Sequence, residues 1–349
     1  MNNDKIEAFW SFFKENIQDY VHFNEDYENS PIETSEKVES LIQELQKYSE
    51  GLFIIIKSTS NPKELIVTAK GKKECFSDAF EVVNNAPTLE GWKFIATKPS
   101  YGLDFDFELT GVKINPNSLS FMPLEADEYP HDVAIRIFHK EYTQEQSAQQ
   151  TAVVVGAYAG LDILFGEIES ALTFQYIDFD DMPHPKEKSF PFSGLKDYVE
   201  YKKGQRPNSG EEFPKKDIVP MEGKIDGLPS LLILNKALDY YEFTPKFPYL
   251  LQLTLTLKDV GENGLPYGNV DELYLIENII YQEIFQEKNG HFIATKTYNG
   301  KREMFYYAKT KESIEKALDM LPIEYDSCDV QYSVDYDPFW VRVDRYREL

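Results

Sequence analysis

The sequence predicts an α+β protein built of two ferredoxin-like (βαββαβ) domains, each with an antiparallel sheet and its helices on one face. Three observations predict it. The chain has 349 residues, more than one ordinary domain holds. Stretches with apolar residues every three to four positions alternate with short β-branched runs, the signature of interleaved helices and strands. Between Lys202 and Pro220, KKGQRPNSGEEFPKKDIVP crowds Gly, Pro, Ser and charge together and reads as a connector. The expected boundaries are an α+β domain with a helical N-terminal extension over 1–204, a linker over 205–220 and a ferredoxin-like domain over 221–349.

In the first half, Ile6, Phe9, Trp10, Phe13, Ile17, Tyr20 and Val21 form one wide apolar stripe on a helix. A second helix runs from Glu33 to Tyr48, with Val38, Leu41, Ile42 and Leu45 inward and Gly51 past its end. GLFIIIK and KELIVTA are strands separated by the turn-prone STSNP. Phe76, Ala79, Phe80 and Val83 restore helical spacing before Pro87, and WKFIATK is a strand. LDFDFELTG alternates apolar with acidic residues, the period of a strand with one wet face. SLSFMPL, DVAIRIFH and TFQYIDF are further strands, and FSGLKDYVEY is a short helix. A long Ala- and Gly-rich helix spans 145–165, its small residues suited to close approach to a sheet. The expected order is strand 63–69, helix 72–86, strand 92–97, strand 131–139, helix 145–165, strand 171–179.

The second half gives βαββαβ from Phe247 to Tyr336. FPYLLQLTLTLK is its first strand, and the glycine-rich turn GENGLPYGN leads to a helix with Asn269 as N-cap and Glu272 completing a capping box. Asn299-Gly300 forms a type I′ hairpin turn that sets Tyr298 opposite Lys301, Lys296 opposite Glu303 and Ala294 opposite Phe305. Ile314, Ala317, Leu318 and Leu321 mark a helix closed by Pro322, and CDVQYSVDY is the last strand.

Charge and composition exclude several functions. Thirty-six Lys and Arg against 60 Asp and Glu give a net charge of −24, with −16 on residues 1–204 and −8 on the remainder. Such a field repels phosphate backbones and anionic lipid, so neither nucleic acid nor membrane is expected; a basic protein partner or simple solubility fits the charge, and charge alone does not choose between them. Cys75 and Cys328 are too few and too far apart for a disulfide framework or a cysteine zinc site, which fits a cytoplasmic protein. The N-terminus lacks the basic and continuous apolar regions of a secretory signal, and no run of about 18 apolar residues could span a bilayer.

No catalytic, cofactor-binding or metal-ligating residue is assigned. Asp104, Asp106 and Glu108 stand apart on alternate strand positions and read as a solvated face rather than a converging cation site. Asp178, Asp180, Asp181 and His184 lie beside Pro183 and Pro185 in what reads as an exposed loop, without the second histidine of a catalytic zinc set. A metal-assisted enzyme using this 178–184 segment between the domains is the rival to a binding role. His131 and His139 sit at opposite ends of one strand, and His22 and His291 have no sequence partner. Cys75 lies among Phe76 and Phe80 and reads as structural, and GENGLPYGN lacks the lysine of a phosphate-binding loop. Phe305 and Tyr307 share one strand face and Tyr306 the other, a core pattern rather than a base-stacking platform. The terminal VDYDPFWVRVDRYREL, with its aromatic residues and arginines, reads as a segment docked on the sheet.

One resemblance goes further. The hairpin pattern carried by Thr297, Gly300, Arg302, Glu303 and Tyr307, followed by Asp337, Pro338 and Trp340, resembles a bacterial domain family of unknown function over about 220–349. That family is similar in fold to the regulator of ribonuclease activity B, which inhibits ribonuclease E by binding it. The resemblance implies a bacterial, non-enzymatic binding or regulatory protein, an inhibitor of a nuclease or toxin, and supplies no catalytic residue. The carboxylates expected to steer a basic partner are Asp104, Asp106, Glu108, Asp178, Asp180 and Asp181.

Overall fold

The computed structural model describes residues 2–21, 32–184, 188–267, 270–286 and 288–347. It comprises two compact units, Met1–Gln205 and Arg206–Leu349, and the chain is α+β.

The first unit begins with helices α1 (Asn2–Glu15), α2 (Ile17–Tyr20) and α3 (Ile32–Gln46). The aromatic stripe of α1 is buried as its spacing predicts. Trp10 and Phe13 meet the rings of Phe94 and Trp92 edge-on at 4.6 and 5.1 Å, and the Trp10 indole N–H donates to the Val82 carbonyl at 2.9 Å. Strands β1 (Phe53–Lys57) and β2 (Lys63–Thr68) pair antiparallel; α4 (Phe76–Asn84) then carries the chain to β3 (Trp92–Ala96), which lies parallel to β2.

A hairpin of β4 (Phe107–Leu109) and β5 (Val112–Ile114) follows, then β6 (Ser120–Pro123), β7 (Val133–Phe138), α5 (Ala148–Phe165), α6 (Glu167–Thr173) and β8 (Phe174–Asp180). The short β9 (Phe190–Pro191) and α7 (Leu195–Gly204) complete the unit. The second sheet has the order β8-β7-β6-β9, with β7 and β8 parallel. The glycines of α5 do permit close approach. A Cβ at Gly156 would come within 2.5 Å of the Ile114 side chain, and one at Gly160 within 3.0 Å of the Phe105 ring.

The expected single βαββαβ sheet is therefore not what residues 1–205 form. Its six segments divide between two mixed sheets, because the chain between β3 and β7 folds into strands of its own. Strand β7 then pairs with its neighbours β6 and β8 instead of inserting beside β2. LDFDFELTG likewise contributes only Phe107–Leu109 to a strand, although Phe105 is buried and Asp104, Asp106 and Glu108 are exposed as the alternation requires. A buried carboxylate ties the first sheet to α6. Glu167 accepts from the Thr68 hydroxyl at 2.7 Å and from the backbone N–H groups of Lys98 and Gly71 at 2.9 and 3.0 Å.

The second unit holds β10 (Ile218–Ile225), β11 (Leu228–Asn235), β12 (Tyr249–Leu257), α8 (Asp271–Ile280), β13 (Gly290–Tyr298), β14 (Lys301–Ala308), α9 (Lys311–Asp319), β15 (Cys328–Tyr336) and α10 (Asp344–Arg347). Its six strands form one sheet in the order β10-β11-β13-β14-β12-β15, with every neighbouring pair antiparallel. Leu251, Leu253, Leu255, Met304 and Tyr306 face α8 and α9, while Leu250, Phe305 and Tyr307 face the chain's C-terminal segment. The β10–β11 hairpin was not read from the sequence. Its turn is Asp226-Gly227, both at positive φ, between two runs of which the first begins inside the expected connector, at Ile218. Connector residues instead pack on this unit: Phe213 meets Phe247 edge-on at 5.6 Å, and Glu212 binds Lys246 at 2.6 Å and Lys309 at 3.3 Å.

The expected β13–β14 register is present, Tyr298 opposite Lys301, Lys296 opposite Glu303 and Ala294 opposite Phe305, with φ +46° at Asn299 and +73° at Gly300. The Gly300 N–H donates to the Gly264 carbonyl at 2.8 Å, so the glycine-rich loop buttresses the turn. Gly300→Val is expected to destabilise this unit by about 1–3 kcal/mol through backbone strain, read as a lowered thermal midpoint. An unchanged midpoint would show that the turn does not depend on its glycine. The proposed N-cap Asn269, and with it the capping box, lies outside the described residues; Glu272 itself lies in the first turn of α8. Its carboxylate accepts from the N–H groups of Asp326 and Ser327 at 3.2 and 2.8 Å, pinning the approach to β15.

Candidate functional site

In the first unit, β7 and β8 bury one face. Ile135, Ile137, Ile177 and Phe179 pack with α5 in the core. Strand alternation then places Tyr176, Asp178 and Asp180 together on the opposite face, beside Ala134 and Arg136, which stand in register with Tyr176 and Asp178. The loop LEADEYPHD, residues 124–132, closes over the end of this face. It starts in the β-ladder, with the Leu124 N–H donating to the Ala134 carbonyl at 2.9 Å. It ends with the Val133 N–H donating to the Gln175 side chain at 2.8 Å.

Lys202 of α7 holds the loop from beneath. Its buried ammonium donates to Glu125 at 2.9 Å and to the Pro130 carbonyl at 2.7 Å. The Tyr198 hydroxyl donates weakly to Glu125 at 3.5 Å, and burial first, then that carboxylate, pushes the phenol's pKa up. Loop and strands together line an open groove of about 350 Å³ whose lining includes Leu124, Ala126, Ala134, Tyr129 and Tyr176. Those two tyrosines are 59% and 57% exposed, so two large rings face solvent beside the apolar lining. Glu125 and Asp132 line the rim, and Asp127 and Glu128 are exposed on the same loop.

An apolar groove with aromatic rings in its lining and a carboxylate rim suits a cationic side chain, which gains from ring faces and charge together. Sequence reasoning missed this groove. The available signal was the alternation of TFQYIDF, which puts Tyr176 on the same face as the aspartates, and an acidic loop carrying a lone tyrosine.

The carboxylates assigned from sequence are distributed differently. Asp178 and Asp180 lie on strand β8 rather than in a loop, because the ladder with β7 extends to Phe138 and Asp180. Asp178 is ion-paired with Arg136 at 2.8 Å, so its charge is largely answered within the fold. Asp180 and Asp181 each accept from the next residue's N–H, at 2.9 and 2.8 Å, and shape the strand end. Asp104, Asp106 and Glu108 are exposed on and before β4, with Lys113 opposite Glu108. Among the described residues, no three His, Cys, Asp or Glu side chains converge as a metal-holding group.

Cys75 and Cys328 are buried, and burial pushes both thiols up. In the second unit, His291 is enclosed by Phe213, Phe247 and Tyr241, whose hydroxyl lies 2.9 Å from its Nε2; burial lowers its pKa to about 4. The motif residues also bind one another or the sheet. Arg302 donates to Glu277 and to the Thr297 hydroxyl, both at 3.0 Å, joining β14 to α8. Asp337 accepts from the Tyr307 hydroxyl at 2.6 Å and from the N–H groups of Val341 and Arg342 at 3.2 and 3.0 Å. Among the described residues, no single helix is long and apolar enough to cross a membrane.

Comparison with curated proteins and with solved structures returns no match. Residues 221–346 match the model of DUF695, a family of unknown function, and the second unit is similar to that family over this range.

Proposed function

We propose that the protein is a cytoplasmic, non-enzymatic binding protein that regulates a partner by capturing a basic segment of it in the groove of the first unit. The observation that carries this reading is the pair of half-exposed tyrosines, Tyr129 and Tyr176, beside an apolar lining with a carboxylate rim. A lysine or arginine entering the groove gains cation–π attraction from both rings, and the net charge of −24 draws a basic chain toward it. For the second unit, the all-antiparallel order β15-β12-β14-β13 with its βαββαβ connections supports a ferredoxin-like classification of that unit alone. The support for inhibition of a nuclease or toxin as the form of regulation is the fold similarity between the family that the second half resembles and the regulator of ribonuclease activity B.

The test uses a ten-residue peptide of alternating arginine and glycine, titrated against the whole protein by calorimetry. Tyr129→Ala combined with Tyr176→Ala is expected to weaken binding about 5- to 30-fold, from the loss of two cation–π contacts at about 0.5–1 kcal/mol each. Neutralising the rim with Asp127→Asn, Glu128→Gln and Asp132→Asn should slow association and flatten its salt dependence. Equal affinity in the tyrosine variant, with its fold intact by circular dichroism, would remove the groove as the binding site.

A further inference from the structure

The six-stranded sheet of the second unit ends in two unlike edges. Strand β10 contains Pro220, which has no N–H to offer a further strand. Strand β15, at the other edge, runs nine residues in unbroken register with β12 and contains neither proline, lysine nor a bulge. Natural edges are blunted by such devices or by charge; β15 has charge at Asp329 and Asp335 but no proline, lysine or bulge. Its central residues Gln331, Tyr332 and Ser333 are all exposed, which places both faces of the strand at the surface. Tyr332 is 60% exposed although it stands opposite the buried Leu253, on the helix-packed side of the sheet. Val330 and Val334 flank it on that side, only partly covered.

The other side of β15 presents Asp329 and Asp335. Each has a cation of its own, Lys258 and Arg342, both at 3.1 Å. A carboxylate accepts several donors, so each retains capacity for another lysine. A second copy of this chain is a poor occupant. Pairing β15 antiparallel with itself over its full length would set Asp329 against Asp335 twice, and like charges directly opposite destabilise a ladder.

From this edge we infer that β15 is an addition site for an extended segment of a partner protein. The segment is apolar at alternate positions, to cover Val330, Tyr332 and Val334, and carries a basic residue opposite each aspartate. Main-chain hydrogen bonds supply the affinity and the two faces of β15 the specificity. This surface is separate from the tyrosine groove and does not depend on it.

The probe is the peptide Val-Lys-Val-Thr-Val-Thr-Val-Lys-Val, which in antiparallel pairing sets its lysines opposite Asp335 and Asp329. Added to the whole protein, it should slow hydrogen exchange at residues 329–335. Methylating alternate peptide nitrogens, which removes main-chain donors and keeps the charge, should weaken binding at least tenfold. Gln331→Lys with Ser333→Lys should do the same with the fold unchanged, while the protein bearing Tyr129→Ala and Tyr176→Ala should bind normally. No protection on β15, equal binding of the methylated peptide, or self-association of the parent that the two lysine substitutions abolish would each overturn the inference.

Discussion

Trp340→Ala is expected to destabilise the second unit by about 3–5 kcal/mol, the range for removing a large buried aromatic side chain. The indole is fully buried, stacks on Tyr307 at 4.4 Å and on Tyr241 at 5.1 Å, and donates to the Phe247 carbonyl at 2.9 Å. Truncation empties a ring-sized space and leaves that carbonyl without its donor. The residue itself sits at φ +57°, a left-handed conformation in which Asp337 accepts the N–H groups that follow. Loss of the ring should therefore also release the C-terminal turn from the sheet face that it covers. Hydrogen exchange of the β12 and β14 amides, followed in the full chain, would show global exchange accelerated by two orders of magnitude or more. Parent-like protection of those strands would mean that the terminal segment is an ornament on an already complete core.

The second unit should also lose stability in acid through His291. Its imidazole has a pKa near 4 in the fold against about 6.5 in a solvated chain, because burial among Phe213, Phe247 and Tyr241 disfavours the charged form more than the Glu212 carboxylate restores it. The folded state thus binds fewer protons than the unfolded chain between those values. Its contribution is complete above pH 6.5 and falls away as the pH drops toward 4, by about 3 kcal/mol in all. His291→Gln, which cannot titrate, should be less stable at pH 7 through the changed contacts. The difference in its unfolding free energy between pH 7 and pH 4.5 should nevertheless be smaller than the parent's by about 2–3 kcal/mol. Equal pH dependence of the two proteins in urea titrations would assign the acid sensitivity to other groups.

Local pattern was enough to place most individual elements. The aromatic stripe of α1, the Asn299-Gly300 turn with its cross-strand partners, and the helix faces of the second half all follow from contacts between residues near in sequence. For the second unit that information even carried the connectivity, since two helices and a tight hairpin leave the four strands few ways to pair. The missing piece there, the Asp226-Gly227 hairpin, announced itself with the same kind of turn and was obscured by the polar stretch before it.

What only the tertiary structure decided was long-range. Whether β7 inserts beside β2 or stays with β6 and β8 depends on pairings across many residues, and alternation is the same in either sheet. The groove is of that kind too. Tyr176 reads as any strand residue until the loop at 124–132 is drawn over its face by Lys202, a residue more than seventy positions away. Asp178 reads as a free carboxylate until the parallel register sets Arg136 beside it. Sequence spacing determines which way a side chain points from its own backbone; what it then meets is set by the packing of distant elements, and in this protein that packing made the groove and answered the charge.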